Sequence, residues 1–302
     1  MTFMTVSKRA VSLAALALAV ALASPARGDD YAHPQLLIST DEMAEAVKTS
    51  KVRVVDASAP DLYNRAHIPG AVNLLHLDLA VLADRKKNGF PINQADAEKI
   101  IGAAGIDENT PVIVYDGGEG PNASGVWFAL DFFGHNNVKV LNGGFRKWMK
   151  EQRPVTQEAP KVEAKKFTAK PSPAKVATLA WMKENYRDKN LVILDTRSFK
   201  EYIGEDVRPG ASRGGHIPGA AHLEWVKFSG AVETFKPAGE IVKTLEKRGI
   251  TKDSKVVVYC HSGIGRSTDV SLAMKLVGFE NVMEYTGSWE EWSGDPSLPV
   301  EK

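Results

Sequence analysis

The sequence predicts an α/β protein of two similar domains, each a parallel sheet with helices on both faces. Three observations predict this. Short runs of continuous apolar, β-branched residues recur, as expected for strands buried on both faces. These runs alternate with stretches whose apolar residues fall at helical spacing. Most tellingly, the chain repeats itself: from Gly105 to Trp148 it matches Gly249 to Trp292 at a constant offset of 144, without a gap. Two copies are too few for a stacked-repeat architecture, so a duplicated globular domain is the better reading. The 302 residues allow two separate cores.

In chain order, the first segment is unlike the rest. Lys8 and Arg9 precede an apolar run from Ala10 to Ala23, then Ser24-Pro25-Ala26. A positive start, a short apolar stretch and small residues at a cleavage point make residues 1–26 a secretory signal peptide. The run is too short to span a bilayer, which takes about 20 residues. Cleavage after Ala23 or after Ala26 satisfies the small-x-small rule. Losing Lys8 and Arg9 moves the net charge from +1 to −1. The expectation is an exported chain without a membrane span once the signal is removed, periplasmic if the source is bacterial.

The first copy, residues 30–155, carries the strand run Val52–Asp56, the segment His67-Ile68-Pro69-Gly70-Ala71 and the strand run Val112–Tyr115. Residues 156–175 are rich in proline, lysine and alanine and read as an extended linker. The second copy, residues 176–302, answers with Leu191–Asp195, His216-Ile217-Pro218-Gly219-Ala220 and Val256–Tyr259. It also holds about ten extra residues, 203–212, expected as a surface excursion. Val270, Ala273, Met274 and Val277 share one face of a helix expected to begin near Ser267. Gly278 stops that helix before a strand at Asn281–Tyr285.

The balance of 38 basic and 37 acidic residues argues against nucleic acid as a partner. Forty-three per cent hydrophobic residues exclude a disordered chain. The histidines show no HxxxH or HExxH spacing, so no metal is expected. No Walker loop or GxGxxG follows a strand, so no nucleotide cofactor is expected. Cys260 is the one cysteine, which excludes an internal disulfide and a CxxC pair.

The constant offset exposes one difference. Cys260 ends its strand where the first copy has Asp116, and Arg266 stands where the first copy has Asn122. The first loop reads DGGEGPNAS and the second CHSGIGRST. A cysteine at the carboxyl end of a parallel strand, before a small-residue loop and a helix, stands where open α/β sheets bind ligands. His261, Ser262, Gly263, Ile264 and Gly265 can turn backbone N–H groups inward, with the two glycines supplying positive φ. The helix N-terminus and Arg266 add positive charge, and together these favour a thiolate. The first copy, lacking both cysteine and arginine, is read as structural, contributing a wall to a cleft between the domains.

The chain resembles the tandem rhodanese-type sulfurtransferases (thiosulfate and 3-mercaptopyruvate sulfurtransferases) over nearly its whole mature length. The residues that carry the likeness are Asp195-Thr196-Arg197 with Glu201-Tyr202, Gly214–Ala220, Val257–Cys260 and Gly287-Ser288-Trp289-Glu290-Glu291-Trp292. The resemblance implies two rhodanese-like domains, with the cysteine only in the second. It implies that Cys260 attacks the outer sulfur of an anionic donor such as thiosulfate, releases sulfite and holds a persulfide. A thiol, cyanide or a partner protein's thiol then takes the sulfur. Arg197 matches the family arginine that helps to hold the donor.

One departure opens alternatives. The family usually has a six-residue loop, whereas Arg266 lies six positions after Cys260 and makes Cys-x5-Arg. That spacing also fits a cysteine-dependent phosphatase or another oxyanion-processing enzyme, and the same loop suits a non-enzymatic persulfide or anion carrier. Against a phosphatase, the loop holds no carboxylate to act as general acid, although Asp269 and Glu224 are candidates elsewhere. Asp195 and His216 recur in the first copy as Asp56 and His67, so they read as loop organisers. Arg197 faces Ser58 in the first copy, which favours a functional role. Ser267 fits either a hydrogen bond to the thiolate or a helix cap. The His261 ring is expected to point to solvent, and Trp289 and Trp292 to sit in the core.

Overall fold

The computed structural model describes residues 30–49, 51–80, 91–230 and 234–302. The expected signal segment, residues 1–26, lies outside the described residues. The first half contains β1 (Leu37–Ile38), α1 (Thr40–Lys48), β2 (Arg53–Asp56), α2 (Pro60–Arg65), β3 (Ala71–Asn73), α3 (Gln94–Ala103), β4 (Val112–Tyr115), α4 (Pro121–Phe132), β5 (Val138–Leu141) and α5 (Gly144–Lys150). The second repeats the order with β6 (Val176–Ala177), α6 (Leu179–Asn185), β7 (Leu191–Asp195), α7 (Phe199–Tyr202), β8 (Ala221–His222), α8 (Ala238–Glu246), β9 (Lys255–Tyr259), α9 (Arg266–Leu276), β10 (Val282–Tyr285) and α10 (Ser288–Gly294). Every strand pairs in parallel, in the orders β1-β5-β4-β2-β3 and β6-β10-β9-β7-β8. Two five-stranded α/β domains are what the apolar runs predict.

Each sheet separates two apolar layers. In the second domain, Val256, Val258, Val270, Ala273 and Met274 form one layer, while Val257, Tyr259, Tyr285, Trp289 and Trp292 form the other. The alternation along β9 thus feeds both faces, because successive strand side chains point to opposite sides. Trp289 and Trp292 are core residues, as expected from their spacing. The helix after the cysteine loop starts at Arg266, one residue before the expected Ser267, and Gly278 at φ +90° ends its run.

The two domains meet along α4 and α9, both buried on nearly all sides. A helix apolar all round belongs between two layers, and α4 fits that rule. Ser124 of α4 and Thr268 of α9, equivalent at the offset of 144, bring their hydroxyl oxygens within 3.2 Å. The chain near Tyr31 straps the domains together: His33 N–H donates to Leu276 O, and the Tyr31 hydroxyl to Lys236 O at 2.8 Å. The stretch 156–175 is irregular but tied down, with Phe167 and Ala169 buried in the first domain's core and Lys165 N–H on Gly102 O.

Candidate active site

Cys260 follows the last residue of β9, a strand flanked on both sides, and is 3% exposed. Three oxygens surround its sulfur. The Ser267 hydroxyl lies 3.6 Å away, the Ser288 hydroxyl 3.9 Å, and Ser262 O is the thiol's own acceptor at 3.8 Å. Ser267 therefore serves the sulfur rather than the cap, since Gly265 occupies the N-cap of α9. Gly263 and Gly265 have φ of +60° and +146°, values that L side chains avoid. The carbonyls of Cys260 and His261 accept from the N–H groups of Trp289 and Glu290 at the start of α10, which fixes the loop's outer side.

The first domain makes the same anchoring bonds: Asp116 O and Gly117 O accept from Phe145 and Arg146 N–H. Its interior differs. The Asp116 carboxyl accepts from the N–H groups of Gly118, Gly120, Asn122 and Ala123 at 2.8 to 3.2 Å, so the loop is filled by its own acid. Burial raises the pKa of that carboxyl, while the N–H groups of Ala123, Gly118 and Gly120 pull against the rise. In the second loop the matching N–H groups of Ser262, Ile264, Arg266 and Ser267 have no oxygen acceptor among the described residues.

Arg266 is held in a two-pronged ion pair, its two terminal nitrogens 2.7 and 2.9 Å from the Glu201 oxygens. Burial works against the guanidinium's charge, but Glu201 and the neighbouring Cys260 outweigh it and raise its pKa. Burial also opposes the Glu201 charge; Arg266 and the Ser198 amide prevail and hold that carboxyl down at about 2. Ser198 and Glu201 form a capping box at the start of α7, the Ser-x-x-Glu pattern that satisfies two N–H groups at once. That pattern in the sequence is the signal that locates Glu201; its position in the first copy is the exposed Leu62.

Arg197 lies inside the second domain, at the carboxyl end of β7. It is 1% exposed and committed to Asp195 at 2.6 Å, to Gly215 O at 2.7 Å and to the Trp289 ring face at 4.6 Å. These contacts tie the end of β7 to Gly215 and to the start of α10. Asp195 accepts from Arg197 and from the Tyr259 hydroxyl, joining β7 to β9. His216 stacks on Tyr202 at 3.7 Å and bonds the Tyr202 carbonyl through Nδ1; His67 does the same with Tyr63. The His261 ring, expected in solvent, instead bonds Pro209 O at 2.9 Å, drawing the exposed excursion 203–212 against the loop. Asp269 turns toward the first domain, where a side chain on Gly120 would collide with its Oδ1.

Two residues of the site were not evident in the sequence. Ser288 is one of two non-glycine residues with positive φ among the described ones, at +55°, and its hydroxyl accepts from Cys260 N–H at 3.3 Å. The equivalent residue is Gly144 at φ +54°, so the offset comparison itself marks Ser288. His76 of the first domain brings Nε2 within 3.9 Å of the place where a side chain on Gly265 would begin. Burial holds its pKa down at about 4, so a neutral ring forms that wall.

The family model for the rhodanese-like domain matches residues 39–151 and 178–295. The chain belongs to the rhodanese family. It is 32% identical to the sulfur carrier protein TtuD of Thermus thermophilus, over 90% of this chain and 98% of that one. It is 30% identical to the thiosulfate sulfurtransferase of Azotobacter vinelandii, over 90% and 99%, and 32% to that of Bos taurus, over 85% and 91%. Among solved structures, wild-type EanB superposes with a TM-score of 0.79 at 24% identity, covering 89% of this chain and 69% of that chain, a likeness of fold.

Proposed function

We propose that this protein moves a sulfane sulfur from an anionic donor such as thiosulfate to a thiol or another thiophile through a persulfide on Cys260. The observation that carries this reading is the contrast between the loops. One N–H cradle is filled by Asp116, and its counterpart surrounds a sulfur atom with no internal acid. The Cys260 thiolate attacks the outer sulfur of the donor; a bond forms between the two sulfurs, and sulfite leaves with the electron pair of the broken bond. The loop N–H groups, the N-terminus of α9 and the Ser267 and Ser288 hydroxyls hold the persulfide's charge. An acceptor thiolate then takes the outer sulfur, and Cys260 departs as a thiolate.

The Arg266–Glu201 pair favours this chemistry over phosphate-ester hydrolysis. Both prongs of the guanidinium are occupied by Glu201, so the fork that would clamp a tetrahedral oxyanion is already in use. A Thermus relative named as a sulfur carrier protein adds weight to sulfur being carried by this chain. With one cysteine in the chain, the sulfur leaves to another molecule or a second copy. Export rests on residues 1–26 and is part of the proposal, with cleavage after Ala23 or Ala26. The test is thiocyanate formation from thiosulfate and cyanide, run beside an aryl phosphate. Thiocyanate that vanishes in Cys260→Ser supports the reading; phosphate release without thiocyanate replaces it with a phosphatase.

A further inference from the structure

We infer that His76, a side chain of the domain without the cysteine, is a specificity-determining residue of the Cys260 site, its ring N–H binding an oxygen of the oxyanion that carries the donor sulfur. The inference rests on the sulfurtransferase reading and deepens it by naming a donor contact from the first domain. His76 opens a 3-10 helix (His76–Leu79) just beyond β3 and is 7% exposed. Its Nδ1 is enclosed and has no hydrogen-bond partner, a costly placement unless the other nitrogen is used. Nε2 is that atom, 3.9 Å from the point where a side chain on Gly265 would begin. Gly265 is the last residue of the cysteine loop before Arg266 and occupies the N-cap of α9, where the positive end of the helix favours anions.

The fold provides a seat for the ring. On α4, a side chain at Gly125 would begin 2.8 Å from both Cβ and Cγ of His76, so the ring lies against a position that only glycine leaves open. At the offset of 144, Gly125 corresponds to Asp269. Counting from the glycine of each His-Ile-Pro-Gly-Ala segment, His76 corresponds to Trp225, which opens the matching 3-10 helix (Trp225–Phe228). The imidazole and the glycine that admits it therefore occur together beside the cysteine loop, and neither has its like in the other copy.

Other donors at the site are already engaged. Arg266 holds both Glu201 oxygens, Arg197 holds Asp195 and Gly215 O, and the His261 ring bonds Pro209 O. The Ser267 and Ser288 hydroxyls lie at the sulfur. A donor such as thiosulfate meets Cys260 with its outer sulfur, and its oxygens then lie on the far side, toward the wall that His76 forms. The neutral ring offers one N–H rather than a charge. It favours a donor with oxygens on that side; inorganic polysulfide, which has none, gains nothing from it.

The test is alkylation of Cys260 by iodoacetamide in the full protein, at increasing sulfate and constant ionic strength. Sulfate has the shape of thiosulfate but no sulfur to transfer. His76→Phe keeps a flat ring against Gly125 and removes the N–H. It should need about tenfold more sulfate for half-protection, the loss expected of a hydrogen bond to a charged group. The thiosulfate KM should rise by a similar factor while kcat falls less, and loading of Cys260 by polysulfide should be unchanged. His76→Gln, which restores an N–H, should return both values toward the wild type. His76→Ala gives a second loss variant should phenylalanine fold poorly. Sulfate that does not protect the wild type, or protection and KM unchanged in the loss variant, overturns the proposal. So does a glutamine variant as impaired as the loss variant, or polysulfide loading that falls with the thiosulfate reaction. A wild type that forms no thiocyanate, with sulfate protection still dependent on His76, would instead fall on the sulfurtransferase reading and keep His76 as an anion contact.

Discussion

The loops after β4 and β9 have the same length, the same strand before them and the same anchoring by the helix that follows the next strand, yet opposite interiors. Asp116 turns its carboxyl into four N–H groups of its own loop and closes it. Cys260 leaves the equivalent amides to a sulfur or an anion. The difference teaches that a backbone cradle is a property of the fold, whereas its use depends on which side chain begins the loop. A carboxyl at that position satisfies the cradle and silences it; a thiol keeps it open.

The contrast between the loops rests on Cys260 and Asp116. Cys260→Ser is expected to lower sulfur transfer by more than about 10³-fold, since no second nucleophile stands in the loop. Asp116→Cys should gain no sulfur adduct, because Asn122 and Ala123 replace Arg266 and Ser267 there; a labelled first-loop cysteine would show that the cradle alone suffices. Asp116→Ala leaves buried N–H groups without acceptors. It should cost about 2–4 kcal/mol in denaturant unfolding while thiosulfate turnover changes less than about threefold.

Much of this contrast was legible in the sequence, and the reasons are physical. A repeat at constant offset preserves register, so Cys260 against Asp116 and Arg266 against Asn122 emerge without coordinates. Short β-branched runs such as Val256–Tyr259, bounded by turn residues, read as buried strands. What pairing across space decides was not legible. The contacts of Arg197 with Asp195 and the Trp289 ring are of this kind. Glu284 is one acid in a short strand, and only the packing of α9 over β10 brings it to Ser271. The His261 ring is claimed by Pro209, more than fifty residues earlier in the chain.

The second domain also buries an acid, Glu284, where the first has Val140. A carboxyl whose folded pKa is raised binds its proton more tightly in the native state, so its contribution is full below about 4.5 and is lost as pH climbs through about 7. Stability should thus fall over that interval. Glu284→Gln should flatten the fall and raise stability at pH 8 by up to about 3 kcal/mol, read from thermal unfolding across pH. An unchanged slope would show that Glu284 is not the titrating group.

The smallest expected effects lie at the shared positive-φ position. Ser288→Gly should relieve backbone strain worth about 1 kcal/mol yet slow sulfur transfer several-fold through loss of its hydroxyl. Gly144→Ala should cost more than about 1 kcal/mol, because its Cβ would lie 2.7 Å from Gly118 Cα and 2.8 Å from Asp116 O. Equal responses at the two positions in unfolding experiments would contradict the claim that the loops differ inside.

The most direct measurement is the mass of the protein after incubation with thiosulfate, followed by peptide mapping. One added sulfur, about 32 Da, is expected on the peptide carrying Cys260, removed by cyanide and absent in Cys260→Ser. A protein that gains no sulfur but steadily releases phosphate from an aryl phosphate would contradict it.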